Sequence, residues 1–236
     1  MADGRPSPAE LRARRPQLSA GAAALPADER AAALELLAGR GVPMVHVDVM
    51  DEEFAGRAVG SADLVADLRT PLLKDVHLMV AEPRPQIARY VAAGADAITV
   101  HVEAADPVGA LEEIGSLGGP GPVLRGIAAW PTTPLADLIP LIGLADLVLV
   151  LGVSLDDRGS GPFEVGLQRM RELSAGGRRP LLSFDGGVTP DNAGLVAAAG
   201  CDLVVSGSGI FAADDPVAAL DRTLAALDSV GAARSR

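Results

Sequence analysis

The sequence is poor in cysteine, in aromatic residues and in lysine, and it has no apolar run long enough to span a membrane. Its single cysteine, Cys201, excludes a disulfide within the chain, and its place at the start of an apolar run predicts simple burial. Aromatic residues make up 3% of the 236 residues and hydrophobic residues 49%, so the core must be built mainly from Ala, Val, Leu and Ile. Such aliphatic cores are typical of parallel sheets covered by helices.

The charge of the chain also excludes classes of partner. A net charge of −11 argues against nucleic acid, which requires a basic surface. The first fifteen residues carry four arginines but no apolar block, so we do not expect them to form a secretory signal. We therefore expect a cytoplasmic protein without a membrane partner. Residues 1–15 are predicted to form a flexible N-terminal arm and residues 231–236 a flexible tail.

Short aliphatic runs alternate along the chain with amphipathic or alanine-rich stretches. The predicted strands are Gln17–Ser19, Met44–Val49, Val76–Val80, Ala97–Val102, Val123–Ile127, Leu147–Leu151, Leu181–Phe184 and Leu203–Ser206. The predicted helices lie near residues 26–39, 61–70, 84–93, 107–117, 134–143, 162–174, 190–199 and 215–229. Pro107, Pro134, Pro190 and Pro216 are placed at first helical positions. Eight β–α units predict one closed (β/α)₈ TIM barrel over residues 16–230, with an open doubly wound sheet as the alternative.

The three histidines, His46, His77 and His101, each lie at or near the end of a predicted strand. Asp48 follows His46 by two residues, so both side chains point to the same face of a strand, and Asp185 ends another apolar run. Strand ends meet at the C-terminal face of a barrel, where two carboxylates repel each other unless a cation joins them. Two histidines and two aspartates therefore predict a divalent-metal site, whereas a lone strand-end histidine such as His101 is more often a hydrogen-bonded core residue than a ligand.

Two glycine-rich strings, DGGV (185–188) and SGSG (206–209), close the seventh and eighth predicted strands. Loops at these two positions of a barrel commonly bind phosphate through backbone N–H groups, and glycine allows the backbone to approach the anion. A serine hydroxyl at position 206 or 208 adds a donor. We predict a small phosphorylated metabolite, with its phosphate over Gly186, Gly187, Gly207 and Ser208.

Six strings carry a resemblance to a known family. They are LSA (18–20), HVDVMD (46–51), DVHLMV (75–80), ITVHVEA (98–104), DGGV (185–188) and SGSGIF (206–211). In order and spacing, from about Gln17 to Leu227, they closely resemble the ribulose-phosphate 3-epimerase family, and HVDVMD paired with DVHLM is the most specific part. The resemblance implies a (β/α)₈ barrel of the ribulose-phosphate-binding type. It also implies an isomerase of the pentose phosphate pathway that interconverts D-ribulose 5-phosphate and D-xylulose 5-phosphate through an enediolate.

The resemblance assigns roles to individual residues. It implies one divalent ion (Zn²⁺, Fe²⁺, Mn²⁺ or Co²⁺) bound by His46, Asp48, His77 and Asp185, with the two aspartates also serving as the acid–base pair. It further implies substrate contacts from Ser19, Met50, Met79 and His77, and a homo-oligomer, either a dimer or a hexamer. Asp75 and Glu103, each two residues from a histidine, are expected either to support the ligands or to form structural hydrogen bonds.

The loops that would cover the substrate depart from the family's pattern. After the sixth strand, the family's NPGFGGQ-like loop is replaced by GVSLDDRGSGPF (152–163), in which Arg158 could bind the phosphate in place of backbone donors. After the second strand, MDG-x-FVPN becomes MDEEFAGR (50–57), and after the fifth, NP-x-TP becomes WPTTP (130–134), with Trp130 replacing Asn. Retained metal and acid–base positions beside rewritten loops predict an altered substrate rather than lost chemistry.

Three alternatives remain at this point. The first is 3-epimerisation of another ketose phosphate, such as allulose 6-phosphate or a sugar of specialised metabolism. The second is a related phosphate-barrel decarboxylase or aldolase, which uses a lysine in an Asp-x-Lys-x-x-Asp string. The only lysine here is Lys74, and Asp75-Val76-His77 has histidine at that position, which argues against this class. The third is a non-catalytic sugar-phosphate-binding barrel, which the four retained ligands disfavour.

Overall fold

Eight parallel strands, each hydrogen-bonded to the next along the chain, close into a barrel where the last strand pairs with the first. The computed structural model describes residues 8–13, 16–117, 122–154, 161–176 and 180–234. The strands are β1 (Gln17–Ala20), β2 (Met44–Met50), β3 (Leu73–Met79), β4 (Ala97–His101), β5 (Leu124–Ala129), β6 (Leu147–Leu151), β7 (Leu181–Asp185) and β8 (Leu203–Ser206). The predicted (β/α)₈ barrel is confirmed, and the open sheet is wrong.

Helices surround the barrel. They are α1 (Pro8–Ala13), α2 (Ala27–Gly39), α3 (Glu52–Ala55), α4 (Ala62–Asp67), α5 (Arg84–Ala92), α6 (Pro107–Ser116), α7 (Leu135–Ile142), α8 (Gly161–Ser174), α9 (Ala193–Ala198), α10 (Ser208–Phe211) and α11 (Pro216–Arg234). Pro107 and Pro216 begin helices as predicted, but Pro134 precedes the first residue of α7. Pro190 also lies outside its helix, because the side chain of Asn192 accepts from the N–H of Thr189 and holds a turn before α9.

Alternation along the strands separates the core from the site. The valines of β2, Val45, Val47 and Val49, are buried between the sheet and the helices. Met44, at the start of the same strand, belongs to a second apolar cluster. Because successive side chains alternate, the polar residues of β2 lie above Met44 on the inner face, toward the C-terminal end.

The third strand begins earlier than predicted. Lys74 and Asp75 pair with Val45 and His46 of β2, so the ladder starts at Leu73 rather than Val76. The ammonium group of Lys74 donates to the carbonyl oxygen of Val65 at 2.6 Å. The strand accepts two charged residues because one is hydrogen-bonded at its outer side and the other points into the barrel.

The predicted arm contains a helix that packs on the barrel. Leu11 of α1 is 1% exposed and belongs to the same apolar cluster as Met44. The side-chain amide of Gln17 donates to the carbonyl oxygen of Leu11 at 2.9 Å. The structure thus differs from the predicted boundary at residue 16. It differs again at the other end, where α11 runs to Arg234 and buries Gly231.

No helix among the described residues combines the length and the apolar character that crossing a membrane requires.

Candidate active site

The four predicted metal ligands lie together at the C-terminal end of the barrel. Neighbouring strands β2 and β3 supply His46, Asp48 and His77, with Asp48 directly opposite His77 in the ladder, and β7 supplies Asp185 from across the barrel. One ligand atom of each residue lies within 4.8 Å of those of the other three. Nε2 of His46 is 3.3 Å from Oδ1 of Asp48 and 3.8 Å from Oδ2 of Asp185, and Nδ1 of His77 is 3.1 Å from Oδ1 of Asp48.

The donor set fits a divalent cation. Nε2 of His46 is buried and has no hydrogen-bond partner, while Nδ1 of the same ring lies 2.8 Å from Asp75. An unpartnered buried nitrogen is costly, and here it points at two carboxylates. Two imidazole nitrogens and two carboxylates are ligands that Zn²⁺, Fe²⁺, Mn²⁺ and Co²⁺ all accept. The residues present therefore suit the ion that the sequence implies.

The two aspartates have different environments. Burial, reinforced by the nearby charge of Asp48, raises the pKa of Asp185 to about 6. Burial acts in the same direction on Asp48, but the close approach of the His46 and His77 imidazoles outweighs it and holds the pKa of Asp48 well below its usual range. The side chain of Asp48 is also 40% exposed to the cavity, against 19% for Asp185. One carboxyl group therefore holds a proton much more readily than the other.

The carboxylates around His46 shift the pKa of its imidazole upward. Burial lowers the pKa of an imidazole, but the charges of Asp75 and Asp48 and the hydrogen bond to Asp75 raise the pKa of His46 well above its ordinary value. The carboxylates thus favour positive charge at this position. A divalent cation would supply that charge in place of the proton.

A second layer of polar side chains supports the ligands. Oδ2 of Asp75, 2.8 Å from His46, also accepts from the hydroxyl of Ser19 at 3.1 Å. The family resemblance implies that Ser19 touches the substrate. In the structure Ser19 is fully buried and is not among the residues that line the cavity. Its described contact holds Asp75, and hence the ring of His46, in place.

A cavity of about 320 Å³ opens above the four ligands. Its lining includes every other predicted contact residue among those described: Met50, Met79, Gly186, Gly187, Gly207 and Ser208. The lining also includes two residues that were not predicted as substrate contacts, Arg57 and Trp130. Nε of Arg57 donates to Sδ of Met50 at 3.2 Å, and Arg57 is the one arginine or lysine among the described lining residues.

Comparison with known proteins identifies the family. The model of the ribulose-phosphate 3-epimerase family matches residues 19–211. The chain is 34% identical over 196 residues to the chloroplastic ribulose-5-phosphate-3-epimerase of Arabidopsis thaliana, covering 79% of this chain and 67% of that protein. It is 37% identical over 185 residues to the ribulose-phosphate 3-epimerase of Treponema pallidum, covering 76% and 84%. The chain belongs to the ribulose-phosphate 3-epimerase family. The expected isomerase class is confirmed.

Solved structures show the fold of this epimerase-family chain more widely. The 3-hexulose-6-phosphate synthase from Salmonella typhimurium superposes with a TM-score of 0.70 at 18% identity, over 91% of this chain and 99% of that chain. At this level of identity the likeness concerns the barrel and not its chemistry.

The glycine-rich loops after β7 and β8 have the geometry of a close-approach site. Gly186 and Gly187 have φ of +102° and +70°, which other residues rarely adopt. A Cβ atom on Gly186 would lie 2.6 Å from the side chain of Val153. The carbonyl of Gly187 accepts from Asn192 at 2.9 Å. The N–H of Val188, on the opposite side of the same trans peptide, is therefore directed away from Asn192.

The rewritten loops of this epimerase-family chain are only partly described. Arg158, with Asp156 and Asp157, lies outside the described residues, so its predicted phosphate contact stays a prediction. In the family's MDG-x-FVPN pattern, Arg57 stands at the Asn position, and Trp130 replaces the Asn of the other string. Both line the cavity. The position of Arg57 opposite the Asn of the family's pattern is the sequence signal for its place in the cavity.

Proposed function

We propose that the protein is a metal-dependent 3-epimerase that interconverts D-ribulose 5-phosphate and D-xylulose 5-phosphate. The observation that carries this proposal is the approach of four ligand atoms to within 4.8 Å of one another at the floor of the cavity, in a chain of this family. The cavity size suits a small phosphorylated ketose, and the glycine-rich loops lie on its wall.

The acid–base work falls to Asp48 and Asp185. Inverting a carbon next to a ketone requires removal of its proton from one face and return of a proton to the other. Asp48 on β2 and Asp185 on β7 approach the cavity from different sides, so each can reach one face of a planar enediolate. Their opposite pKa directions allow one carboxyl group to hold a proton while the other is ionised. The pair therefore alternates as base and acid.

The metal ion would be held by His46, Asp48, His77 and Asp185. When bound, a divalent cation supplies Lewis-acid stabilisation of the negative charge that develops on the substrate oxygens. The protein's own contribution is to fix the ligands. Asp75 and Ser19 hold His46, and the ladder between β2 and β3 sets Asp48 against His77. Zn²⁺, Fe²⁺, Mn²⁺ and Co²⁺ all suit this donor set.

The remaining lining residues bind and enclose the substrate. Met50 and Met79, both almost fully buried, place apolar surface beside the ligands and exclude water from the reacting carbons. The phosphate is bound over Gly186, Gly187, Gly207 and Ser208, where the N–H of Val188 is also directed away from Asn192. In this proposal the phosphate lies at the ends of β7 and β8, and the reacting carbons of the sugar lie above the proposed metal ligands.

A second substrate is favoured by a specific observation. Arg57 and Trp130 line the cavity at two positions where the family's pattern has Asn. Trp130 is larger than an asparagine and Arg57 is charged, so the two side chains change both the shape and the hydrogen bonding of the cavity. The same reaction on another ketose phosphate, with allulose 6-phosphate as the first to test, is therefore the second candidate.

The test is product formation by the full-length protein loaded in turn with each of the four metals. Ribulose 5-phosphate and allulose 6-phosphate are supplied separately, and the 3-epimer of each is followed by NMR. Conversion of ribulose 5-phosphate as the faster substrate supports the proposal, and faster conversion of allulose 6-phosphate supports the second candidate. Tight metal and sugar-phosphate binding without turnover of either would show a non-catalytic barrel and would overturn both.

The proposal extends to assembly and location. We infer a dimer or a hexamer in the cytoplasm, from the family. Light scattering coupled to size-exclusion chromatography gives the mass in solution, and a monomer at assay concentration would contradict this part alone.

A further inference from the structure

A row of hydrogen-bonded side chains leads from the metal ligands to a surface loop. Nε2 of His77 lies 2.9 Å from Nε2 of His101, and Nδ1 of His101 lies 3.0 Å from Oε2 of Glu103. Both histidines are fully buried. The ring planes differ by 16° and the centroids are 5.1 Å apart, farther than the two nitrogens, so the rings meet edge to edge as a hydrogen bond requires. The row continues at Glu103 into the loop after β5.

The outer end of the row is firmly held. Oε1 of Glu103 accepts from the backbone N–H of Trp130 at 2.8 Å and from the hydroxyl of Thr133. Arg169 of α8 in turn donates to the carbonyl oxygens of Trp130, at 2.9 Å, and of Thr133. The ring of Trp130 packs on His101 with centroids 4.5 Å apart. Glu103 is therefore fixed in position and oriented with Oε2 toward His101.

The donor and the acceptor of each hydrogen bond in the row can be assigned, starting from Glu103. Burial alone would raise the pKa of Glu103, but hydrogen bonds from His101 and Thr133 lower it, so the carboxylate only accepts. Nδ1 of His101 must then carry the proton. A neutral imidazole that donates from Nδ1 has its lone pair on Nε2, so Nε2 of His101 is the acceptor in its 2.9 Å contact with His77. Nε2 of His77 is left as the donor, which places the lone pair of a neutral His77 on Nδ1, the atom that faces Asp48.

We propose that Glu103, acting through His101, fixes the protonation of His77 at Nε2 and thereby presents Nδ1 as the metal ligand. This inference rests on the metal centre of the proposed function. Glu103 and His101 are positioning residues in this account. The other histidine ligand, His46, has a shorter version of the same device, because its Nδ1 meets the carboxylate of Asp75 directly. Partners of this kind set both the tautomer and the orientation of metal-binding imidazoles.

Glu103→Gln reverses the direction of hydrogen-bond donation along the row and keeps the size of the side chain. The N–H of Trp130 requires an acceptor, so the amide oxygen takes the position of Oε1 and the amide NH₂ faces His101. Nδ1 of His101 then has to accept, its proton moves to Nε2, and Nε2 of His77 becomes an acceptor. The proton of a neutral His77 is left on Nδ1, where it competes with the metal. We expect the affinity for Zn²⁺ to fall 10- to 100-fold.

The experiment has two readouts, neither of which is catalytic activity. Nitrogen-15 NMR of histidine-labelled, metal-free protein reports which nitrogen of His101 carries the proton, and the chain has only three histidines to assign. Competition with a chromophoric chelator gives the Zn²⁺ affinity. The matched control is Glu113→Gln, which makes the same change at a partly exposed carboxylate hydrogen-bonded to Arg84. We expect the control to leave both readouts unchanged.

The expected result is a His101 proton on Nδ1 in the wild type, its transfer to Nε2 in Glu103→Gln, and weaker Zn²⁺ binding by that variant alone. Loss of affinity without the transfer would show a structural role, and transfer with affinity within twofold of wild type would show no coupling; either overturns the inference. A proton on Nε2 in the wild type overturns it even where the variant does not fold. Failure of the proposed epimerase activity leaves both readouts in place, so the two hypotheses fail separately.

Discussion

Oδ2 of Asp75 lies 2.8 Å from Nδ1 of His46 and accepts from the hydroxyl of Ser19 at 3.1 Å, so one buried carboxylate oxygen joins β1, β2 and β3 behind the candidate metal centre. Asp75 is 2% exposed. Because this oxygen occupies Nδ1, the other nitrogen of His46 is free to point at Asp48 and Asp185.

Asp75→Asn tests that relationship. The substitution keeps the size of the side chain but removes the charge that orients His46, so we expect the affinity for Zn²⁺ to fall about 10- to 100-fold. Isothermal titration or chelator competition measures the change. Asp63→Asn, at an exposed position of α4, serves as the control. Equal affinities for Asp75→Asn and wild type would remove Asp75 from the metal centre.

Asp185→Asn tests the acid–base assignment. The amide cannot exchange a proton with the substrate, so we expect kcat to fall by at least about 10²- to 10⁴-fold. Circular dichroism should show an unchanged fold. The matched control is Asp191→Asn, a solvent-exposed aspartate whose carboxylate is 3.5 Å from Arg222 at the surface. Retention of kcat by Asp185→Asn would exclude this residue from proton transfer.

Asp185 also predicts a pH dependence of stability in the metal-free protein. Asp48, His46, His77 and Asp75 all act on it, and its pKa is raised to about 6 in the folded state, against about 3.9 in an unfolded chain. The folded state therefore binds the extra proton between these values, and its contribution to stability is lost as the pH rises through about 6. Relative to wild type, Asp185→Asn should gain on the order of 2 kcal/mol between pH 4 and pH 7.5.

Urea unfolding in the presence of a chelator measures this difference at each pH. Comparing the variant with wild type at the same pH cancels the titration of groups that both proteins share. A stability difference that stays constant from pH 4 to pH 7.5 would mean that Asp185 is not destabilised in its charged form.

Ser208→Ala tests the phosphate site. Ser208 lines the cavity beside Gly207, and loss of a hydroxyl donor to an anion costs about 1.5–3 kcal/mol. We expect KM for ribulose 5-phosphate to rise about tenfold or more with little change in kcat. The same variant should treat the unphosphorylated sugar ribulose as wild type does. A KM that rises equally for both sugars would place Ser208 away from the phosphate.

Leu11→Ala tests the packing of α1 at the amino-terminal end of the barrel. Leu11 is 1% exposed within an apolar cluster, so truncation should lower the free energy of unfolding by about 2–5 kcal/mol while leaving kcat unchanged. Leu195→Ala, at a residue 47% exposed on α9, should stay within about 0.5 kcal/mol of wild type. Chemical denaturation gives both values. A Leu11→Ala protein as stable as wild type would show that α1 does not hold this position in solution.

The barrel and the cluster of two histidines and two aspartates could be predicted because the signal is local. Alternation along β2 places His46 and Asp48 on one face, and the order of strands brings His77 and Asp185 to the same end. The glycines after β7 and β8 could be placed for the same reason. Residues that end parallel strands must meet at one face of a closed barrel.

The features that sequence reasoning missed depend on tertiary contacts. Leu11 is a single large apolar residue in an arginine-rich segment, so no hydrophobic periodicity predicts its burial. The early start of β3 could not be predicted because Lys74 and Asp75 are charged. Hydrogen bonds with Val65 and His46, which lie outside the strand, stabilise the two side chains there. The hydrogen bond from Ser19 to Asp75 joins residues 56 positions apart, so it also depends on the tertiary structure, while the substrate contact that the resemblance implies for Ser19 stays a prediction.

The most direct test of the whole account is proton NMR of the metal-loaded protein in D₂O with ribulose 5-phosphate. We expect deuterium at C3 of the sugar as xylulose 5-phosphate accumulates, because proton removal and return by Asp48 and Asp185 exchange that position with solvent. Asp185→Asn should abolish the accumulation of the epimer. Epimer that forms without deuterium at C3, or the absence of both from protein with confirmed bound metal, would contradict the proposed mechanism for this substrate.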